Sequence, residues 1–290
     1  MGVSRDKFRV GLVQMRAGKD IAENLAQAEA FIREGAGRGA HYIQTPENTL
    51  LMEADAQSLI GKALPEEQTE GLAHFSALAR ELRIWLHIGS VAVKVAAGRL
   101  ANRAFLLAPD GKAVCRYDKI HMFDVDLPSG ESYRESATFD AGSCAYVAGL
   151  PWGGLGIATC YDIRFPEQYK ALAQAGAKFL TAPSAFTKVT GEAHWHILLR
   201  ARAIENGCFM FAAAQGGRHE NGRSTYGHSI AISPWGEILA EAGTEPGVIA
   251  ADIDVSEVDR ARGRIPALNH SGDFKVRTVP LPDYARERTE

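Results

Sequence analysis

Apolar positions change their period several times along the chain, and each change marks an element. From Phe8 to Met15 they alternate in the two-residue rhythm of a strand. From Asp20 to Arg38, Ile21, Leu25, Ala28 and Ile32 recur at helical spacing, and glycines follow to stop the helix. Tyr42-Ile43-Gln44 predicts a second strand that halts at Thr45-Pro46-Glu47. Glu70 to Arg83 predicts a helix with Leu72, Phe75, Leu78, Ala79 and Leu82 on one face, and Trp85 to Val93 the strand after it. Leu100 to Ala108 and Ala113 to Tyr117 flank Pro109-Asp110-Gly111, where Asp-Gly supplies the positive-φ turn of a hairpin.

Phe123 to Glu135 is polar and carries Pro and Gly, so it predicts a long loop of the kind that serves function. The apolar run from Gly154 to Thr159 reads as a strand stopped at Cys160, with a helix beginning at Pro166 and running to Ala175. Strands at Phe179-Leu180 and Phe209 to Ala214 enclose a helix from Glu192 to Asn206. A hairpin around Pro234-Trp235-Gly236-Glu237, a strand from Val248 to Ile253 and a helix from Val255 to Arg262 complete the pattern. Strand-helix units mixed with hairpins predict an α/β protein with helices outside two packed sheets. No linker divides the chain, so residues 1–290 are expected to form one domain, with its core at about 8–265 and a tail from 266 to 290.

At 290 residues, 46% hydrophobic and 23% charged, the chain can bury a large core. A net charge of −3 without basic runs argues against nucleic acid or a membrane surface as partner and points to a small molecule. No apolar stretch approaches the roughly 18 residues of a membrane span and no leader precedes the first strand, so a soluble cytoplasmic protein is expected. Cys115, Cys144, Cys160 and Cys208 form no CxxC pair, which argues against a zinc cluster or a dithiol. Cys115, Cys144 and Cys208 lie in strand-like runs and are expected to be buried small hydrophobes.

Chemistry concentrates where strands stop. Thr45-Pro46-Glu47-Asn48, Tyr117-Asp118-Lys119-Ile120-His121 and Thr159-Cys160-Tyr161-Asp162 each present a reactive side chain at a strand end, and strand ends of α/β sheets converge on one edge. A carboxylate that takes a thiol proton, an ammonium that stabilises an oxyanion, and the thiol itself suffice for acyl transfer. Singly, each has a structural explanation: a surface pair for Glu47, a solvated amine for Lys119, core packing for Cys160. Arg164, one turn beyond Cys160, can face the same pocket or pair with Asp162 or Glu167. His194 and His196, two apart on a helix, point to different faces, so no metal pair is expected. Trp85, Trp152, Trp195 and Trp235 read as core or interface. Gly35-Ala36-Gly37-Arg38-Gly39 follows a helix instead of a strand and reads as a helix stop.

The motifs Pro46-Glu47-Asn48, Asp118-Lys119-Ile120-His121 and Cys160-Tyr161-Asp162-Ile163-Arg164-Phe165-Pro166-Glu167 together resemble the nitrilase, or carbon–nitrogen hydrolase, superfamily. The resemblance continues through Pro183-Ser184-Ala185-Phe186, Thr190-Gly191, Ala193-His194-Trp195, Arg200 to Asn206, Tyr226-Gly227-His228-Ser229 and Pro234-Trp235-Gly236, from about Phe8 to His270. It implies a four-layer α-β-β-α sandwich, commonly paired through its helices into a homodimer or larger assembly. It implies a catalytic Glu47, Lys119 and Cys160 supported by Glu135, with no metal or cofactor. Tyr161 would lend its backbone N–H, Arg164 would hold a substrate carboxylate, and Phe186 and Thr190 would line the same pocket. The family usually has an acidic residue where His196 stands.

Ala212 to His219 followed by Tyr226-Gly227-His228-Ser229 looks most like the deaminated glutathione amidase branch. The implied activity is hydrolysis of a non-peptide amide of a small α-keto acid or carboxylate through a thioester. An omega-amidase acting on α-ketoglutaramate-like substrates is the alternative, and a non-catalytic interaction module that keeps the fold is the alternative of another class. A nitrile hydrolase or carbamoylase fits the residues around Cys160 less well, and a Cys-His protease finds no signature around His121 or His228.

Overall fold

The computed structural model describes residues 6–128, 130–270, 272 and 274–279. A seven-stranded sheet carries, in order, Gly247–Asp254, Lys7–Gln14, Tyr42–Gln44, Trp85–Ala96, Arg99–Leu107 and Ala113–Asp118, with Phe139–Asp140 beside Arg99–Leu107. A six-stranded sheet runs Ile238–Glu241, Ile230–Ile232, Phe209–Ala212, Ala177–Thr181, Gly153–Ile157 and Tyr146–Leu150. Each sheet has three parallel strands at its centre: 7–14, 42–44 and 85–96 in one, 153–157, 177–181 and 209–212 in the other. Their C-terminal ends carry Glu47 and Cys160.

The alternating strands of both sheets turn one apolar set inward, and these sets meet. Phe8 stacks on Trp152 with ring centroids 4.2 Å apart and meets Phe179 edge-on at 5.2 Å. Val10, Leu12, Tyr42 and Leu106 join Leu155, Ile157, Phe209 and Phe211 in the same layer. On the outer face of the first sheet, helices Ile21–Gly37 and Glu70–Leu82 bury Ala28, Ile32, Phe75 and Leu78. On the outer face of the second, Pro166–Gln174 and Lys188–Asn206 bury Tyr169, Leu172, Trp195 and Leu199. The order of layers is therefore α-β-β-α, as expected.

Two expectations need correction. The segment 123–135 is no open loop: Asp124–Asp126 pairs antiparallel with Ser132–Arg134, and a 3-10 turn, Glu135–Ala137, follows. Cys144 is exposed and Cys115 half-buried, whereas Cys208 is buried. Cys144 precedes the edge strand Tyr146–Leu150 without belonging to it, and Cys115 sits on an edge strand with one neighbour. Of the tryptophans expected in core or interface, Trp152 and Trp195 are buried in the core, whereas Trp235, at 49% exposed, lies outside it. Beyond Pro266 the chain still makes a 3-10 turn, Ala267–Asn269, that buries Leu268 against the outer helices; most of the expected tail lies outside the described residues. No helix among the described residues is long and apolar enough to cross a membrane.

Candidate active site

The corner after Tyr42–Gln44 delivers Glu47, and a close approach shapes that corner. A Cβ on Gly89 would stand 2.2 Å from the Thr45 carbonyl oxygen and 2.6 Å from the Pro46 carbonyl carbon, so only glycine lets the neighbouring strand pass. Glu47 is 4% exposed. Its Oε2 accepts the Ala185 backbone N–H at 2.8 Å, and its Oε1 accepts Lys119 Nζ and Asn102 Nδ2, each at 3.0 Å.

Lys119 leaves the strand Ala113–Asp118 and is fully buried. Its Nζ donates to both oxygens of Glu135, at 3.1 and 2.8 Å, as well as to Glu47. Burial alone would lower the Lys119 pKa, but the charges of Glu135 and Glu47 more than reverse it and hold the amine protonated far above its usual range. Burial likewise opposes ionisation of Glu47, yet Lys119, Cys160 and the Ala185 N–H bring its pKa below the ordinary carboxylate value. Asn102, which the sequence reading did not single out, donates through one amide nitrogen to Glu47 and Glu135, both at 3.0 Å. Only its position inside the apolar run Leu100–Leu107 could have drawn notice.

Cys160 sits at the strand-to-turn corner with φ +48, in the left-handed region that costs an L-residue about 1–2 kcal/mol. Its N–H donates to Pro183 O at 3.0 Å, and a capping box between Thr159 and Asp162 begins the turn. The first N–H groups of such a turn lack partners within it, and Tyr161 supplies one. Burial, and then the negative charge of Glu47, push the thiol pKa well above its free value, so the resting sulfur is protonated.

Asp162, fully buried, joins two of the strand ends. It accepts His121 N–H at 3.1 Å, His121 Nδ1 at 2.7 Å, Tyr117 OH at 2.5 Å and Thr159 N–H at 2.9 Å. The segment that carries Lys119 is thereby tied to the turn that carries Cys160.

Glu47, Lys119, Glu135 and Cys160 line one cavity of about 590 Å³, together with Tyr161, Phe186 and Thr190. Arg164 is not on that wall. Its guanidinium carbon lies 5.4 Å from the Phe186 ring centroid and 5.9 Å from that of Tyr161, and its Nη2 is 3.3 Å from His194 Nδ1. The cavity instead includes Arg134 and Arg223, neither of which the sequence singles out.

His196 does not pair with His194. Its Nε2 lies 2.8 Å from Glu241 Oε1, and His228 Nδ1 lies 2.7 Å from the same oxygen. These three groups place their donor atoms within 4.8 Å of one another and could hold a cation. The imidazole nitrogens already use Glu241 as acceptor. Among the described residues no such cluster lines the cavity.

A buried carboxylate, amine and thiol lining one cavity of a four-layer sandwich make a site suited to acyl transfer. Residues 9–263 match the carbon-nitrogen hydrolase family. A deaminated glutathione amidase of Synechocystis sp. is 39% identical over 267 residues, 91% of this chain and 97% of that protein. Omega-amidase NIT2 of Homo sapiens is 35% identical over 262 residues, 90% of this chain and 94% of that one. The crystal structure of the C. elegans NitFhit protein aligns with a TM-score of 0.87 at 33% identity, over 93% of this chain and 66% of that chain. Since the matched region takes in all three strand ends and nearly every element of both sheets, the chain belongs to the carbon-nitrogen hydrolase family.

Proposed function

We propose that this protein is a cysteine-dependent amidase that hydrolyses the amide of deaminated glutathione, with Cys160 as nucleophile, Glu47 as proton carrier, Lys119 as oxyanion stabiliser and Glu135 as its supporting carboxylate. The observation that carries the reading is the Glu47 carboxylate, held at both oxygens and poised against the thiol. Oε2 is fixed by Ala185 N–H and Oε1 by Lys119 and Asn102, while the Cys160 thiol interacts with the same carboxylate.

Because the resting thiol is neutral and Glu47 ionised, the proton passes from Sγ to Glu47 as sulfur attacks the amide carbon. The carbonyl oxygen gains the negative charge, for which the Lys119 ammonium and the Tyr161 N–H stand ready. Collapse of the tetrahedral adduct breaks the C–N bond, Glu47 returns the proton to the departing nitrogen, and an acyl thioester remains on Cys160. Glu47 then takes a proton from water, hydroxide adds to the thioester, and the carboxylic acid leaves with the thiol restored. Glu135 keeps Lys119 charged through this cycle. Thr190 and Phe186 contact the acyl half, and Arg164 draws its carboxylate toward the rim.

The protein is further read as one domain over residues 1–290, cytoplasmic, and a homodimer or larger paired through its outer helices. Ile197, at 70%, and Ile204, at 52%, stand exposed on the helix Lys188–Asn206, and Trp235 lies near them in exposure. Ammonia, amine or keto-acid release from deaminated glutathione, α-ketoglutaramate, simple nitriles and carbamoyl amino acids tests the substrate. Cys160→Ala should abolish turnover with the circular dichroism spectrum retained, and undiminished hydrolysis in that variant would refute the mechanism. Turnover of α-ketoglutaramate in preference to deaminated glutathione would assign the omega-amidase activity instead. A Cys160 no more reactive toward thiol reagents than Cys208 would favour a non-catalytic module.

A further inference from the structure

The wall of the catalytic cavity is rich in carboxylates, and its two arginines are unequally committed. Glu47 and Glu135 share Lys119, and Glu53 takes Lys62 at 3.0 Å. Arg134 spends its Nη2 on both oxygens of Asp126, at 2.8 Å each, and its Nη1 on the Val125 and Tyr133 carbonyls. Arg223 differs. Its Nη2 donates to the Ala185 carbonyl, its guanidinium carbon lies 5.0 Å from the Tyr133 ring centroid, and its Nε is shielded from solvent with no hydrogen-bond partner. Among the described residues no carboxylate pairs with it. A guanidinium with most of its five N–H groups unspent, in an otherwise acidic cavity, is where an incoming anion is held.

The turn that carries Arg223 is fixed before any ligand arrives. Arg223 N–H donates to Asn221 Oδ1 at 2.9 Å, Asn221 Nδ2 donates to Met52 O at 3.1 Å, and His219 bridges Ala17 O and Thr225 Oγ1 at 2.8 and 2.7 Å. Ordering the turn therefore costs little on binding.

Ala185 decides which half of a substrate Arg223 meets. Its N–H holds Glu47 and its carbonyl holds Arg223, so the carboxylate that returns a proton to the departing nitrogen and the free guanidinium are separated by one residue and two hydrogen bonds, roughly 9 Å at most. A two-residue leaving group spans roughly 7 Å from its nitrogen to its terminal carboxylate. We propose that Arg223 forms a leaving-group subsite that binds a carboxylate borne by the amine half of the amide. Resting on the amidase reading, this distinguishes an amide whose leaving group is a short peptide acid, as in deaminated glutathione with its cysteinylglycine, from one that releases ammonia.

Two measurements test the subsite. In the first, kcat/KM is compared for deaminated glutathione and for the analogue whose terminal carboxylate is a carboxamide. The wild-type protein should favour the acid tenfold or more, through KM; Arg223→Gln should bring the ratio near one and Arg223→Lys should restore part of it. A wild-type ratio of one, or an unchanged ratio in Arg223→Gln, overturns the subsite. In the second, calorimetry on the Cys160→Ala protein compares cysteinylglycine with cysteinylglycinamide. Tighter binding of the acid, lost when Arg223→Gln is added, supports the subsite, and equal binding of the two overturns it. Inactivity of the wild-type protein on both amides would overturn the proposed function, while the calorimetric comparison still decides the subsite.

Discussion

Tyr117 donates its hydroxyl hydrogen to Asp162 across 2.5 Å, and this contact joins the strand end before Lys119 to the turn after Cys160. The same oxygen accepts Gln168 Nε2 at 2.9 Å and Ile120 N–H at 3.3 Å. Tyr117→Phe keeps the ring and removes the hub, leaving Gln168 without an acceptor and Asp162 short of a donor. Loss of about 1–3 kcal/mol in urea unfolding is expected. Turnover should fall on the order of tenfold as Lys119 loosens. A variant with wild-type kcat would show that Lys119 is positioned without Asp162.

Asn102 stands between two carboxylates and gives each a hydrogen. Asn102→Asp would replace that donor with a third negative charge, raising the Glu47 pKa through repulsion. In the wild-type protein the Glu47 pKa lies below its ordinary value of 4.5, so the acid limb of the rate profile falls below that pH. The variant's limb should move to higher pH, with kcat reduced roughly tenfold or more. A pH-rate profile measures both, and an unmoved limb would contradict Glu47 as the proton acceptor.

Gly89→Ala would force a methyl group into the Thr45 carbonyl 2.2 Å away. The corner must shift, and Glu47 shifts with it. Activity should fall roughly a hundredfold, since an ångström of misplacement has that effect. Stability should drop by about 1–3 kcal/mol. Kinetics and thermal unfolding on one sample separate these effects.

Two buried histidines set the acid stability. Burial lowers the pKa of His87 to about 3 and that of His219 to about 4. Between the ordinary value near 6.5 and those values the unfolded chain holds protons that the folded one does not, so stability rises with pH there and is lost as pH falls. Each such group contributes a slope of about 1.4 kcal/mol per pH unit. Urea midpoints at pH 6.5, 5.5 and 4.5 should decline steadily, and His219→Gln should flatten the decline. A flat wild-type series would exclude neutral burial of both rings.

Much of this was readable from residue order. The strand Tyr42–Gln44 matches its expected limits, and the three reactive strand ends were visible because each follows a short strand-like run that stops at a turn. The helix Ala56–Lys62 escaped because it buries no residue and so leaves no apolar stripe. The hairpin around Arg134 escaped because its strands are three residues long and polar. Asn102 and Arg223 escaped for a different reason. Their significance lies in partners 55 and 38 positions away, which no local pattern records.

Glu47 and Lys119 hang from one sheet, while Cys160 and Ala185 follow strands of the other. The reacting groups thus face each other across a seam filled by Phe8, Trp152, Phe179 and Phe211, as two halves of a vice face across its screw. Shaving one of these distant rings would change the gap between jaws, and catalysis would register the slack at temperatures where the protein is still folded.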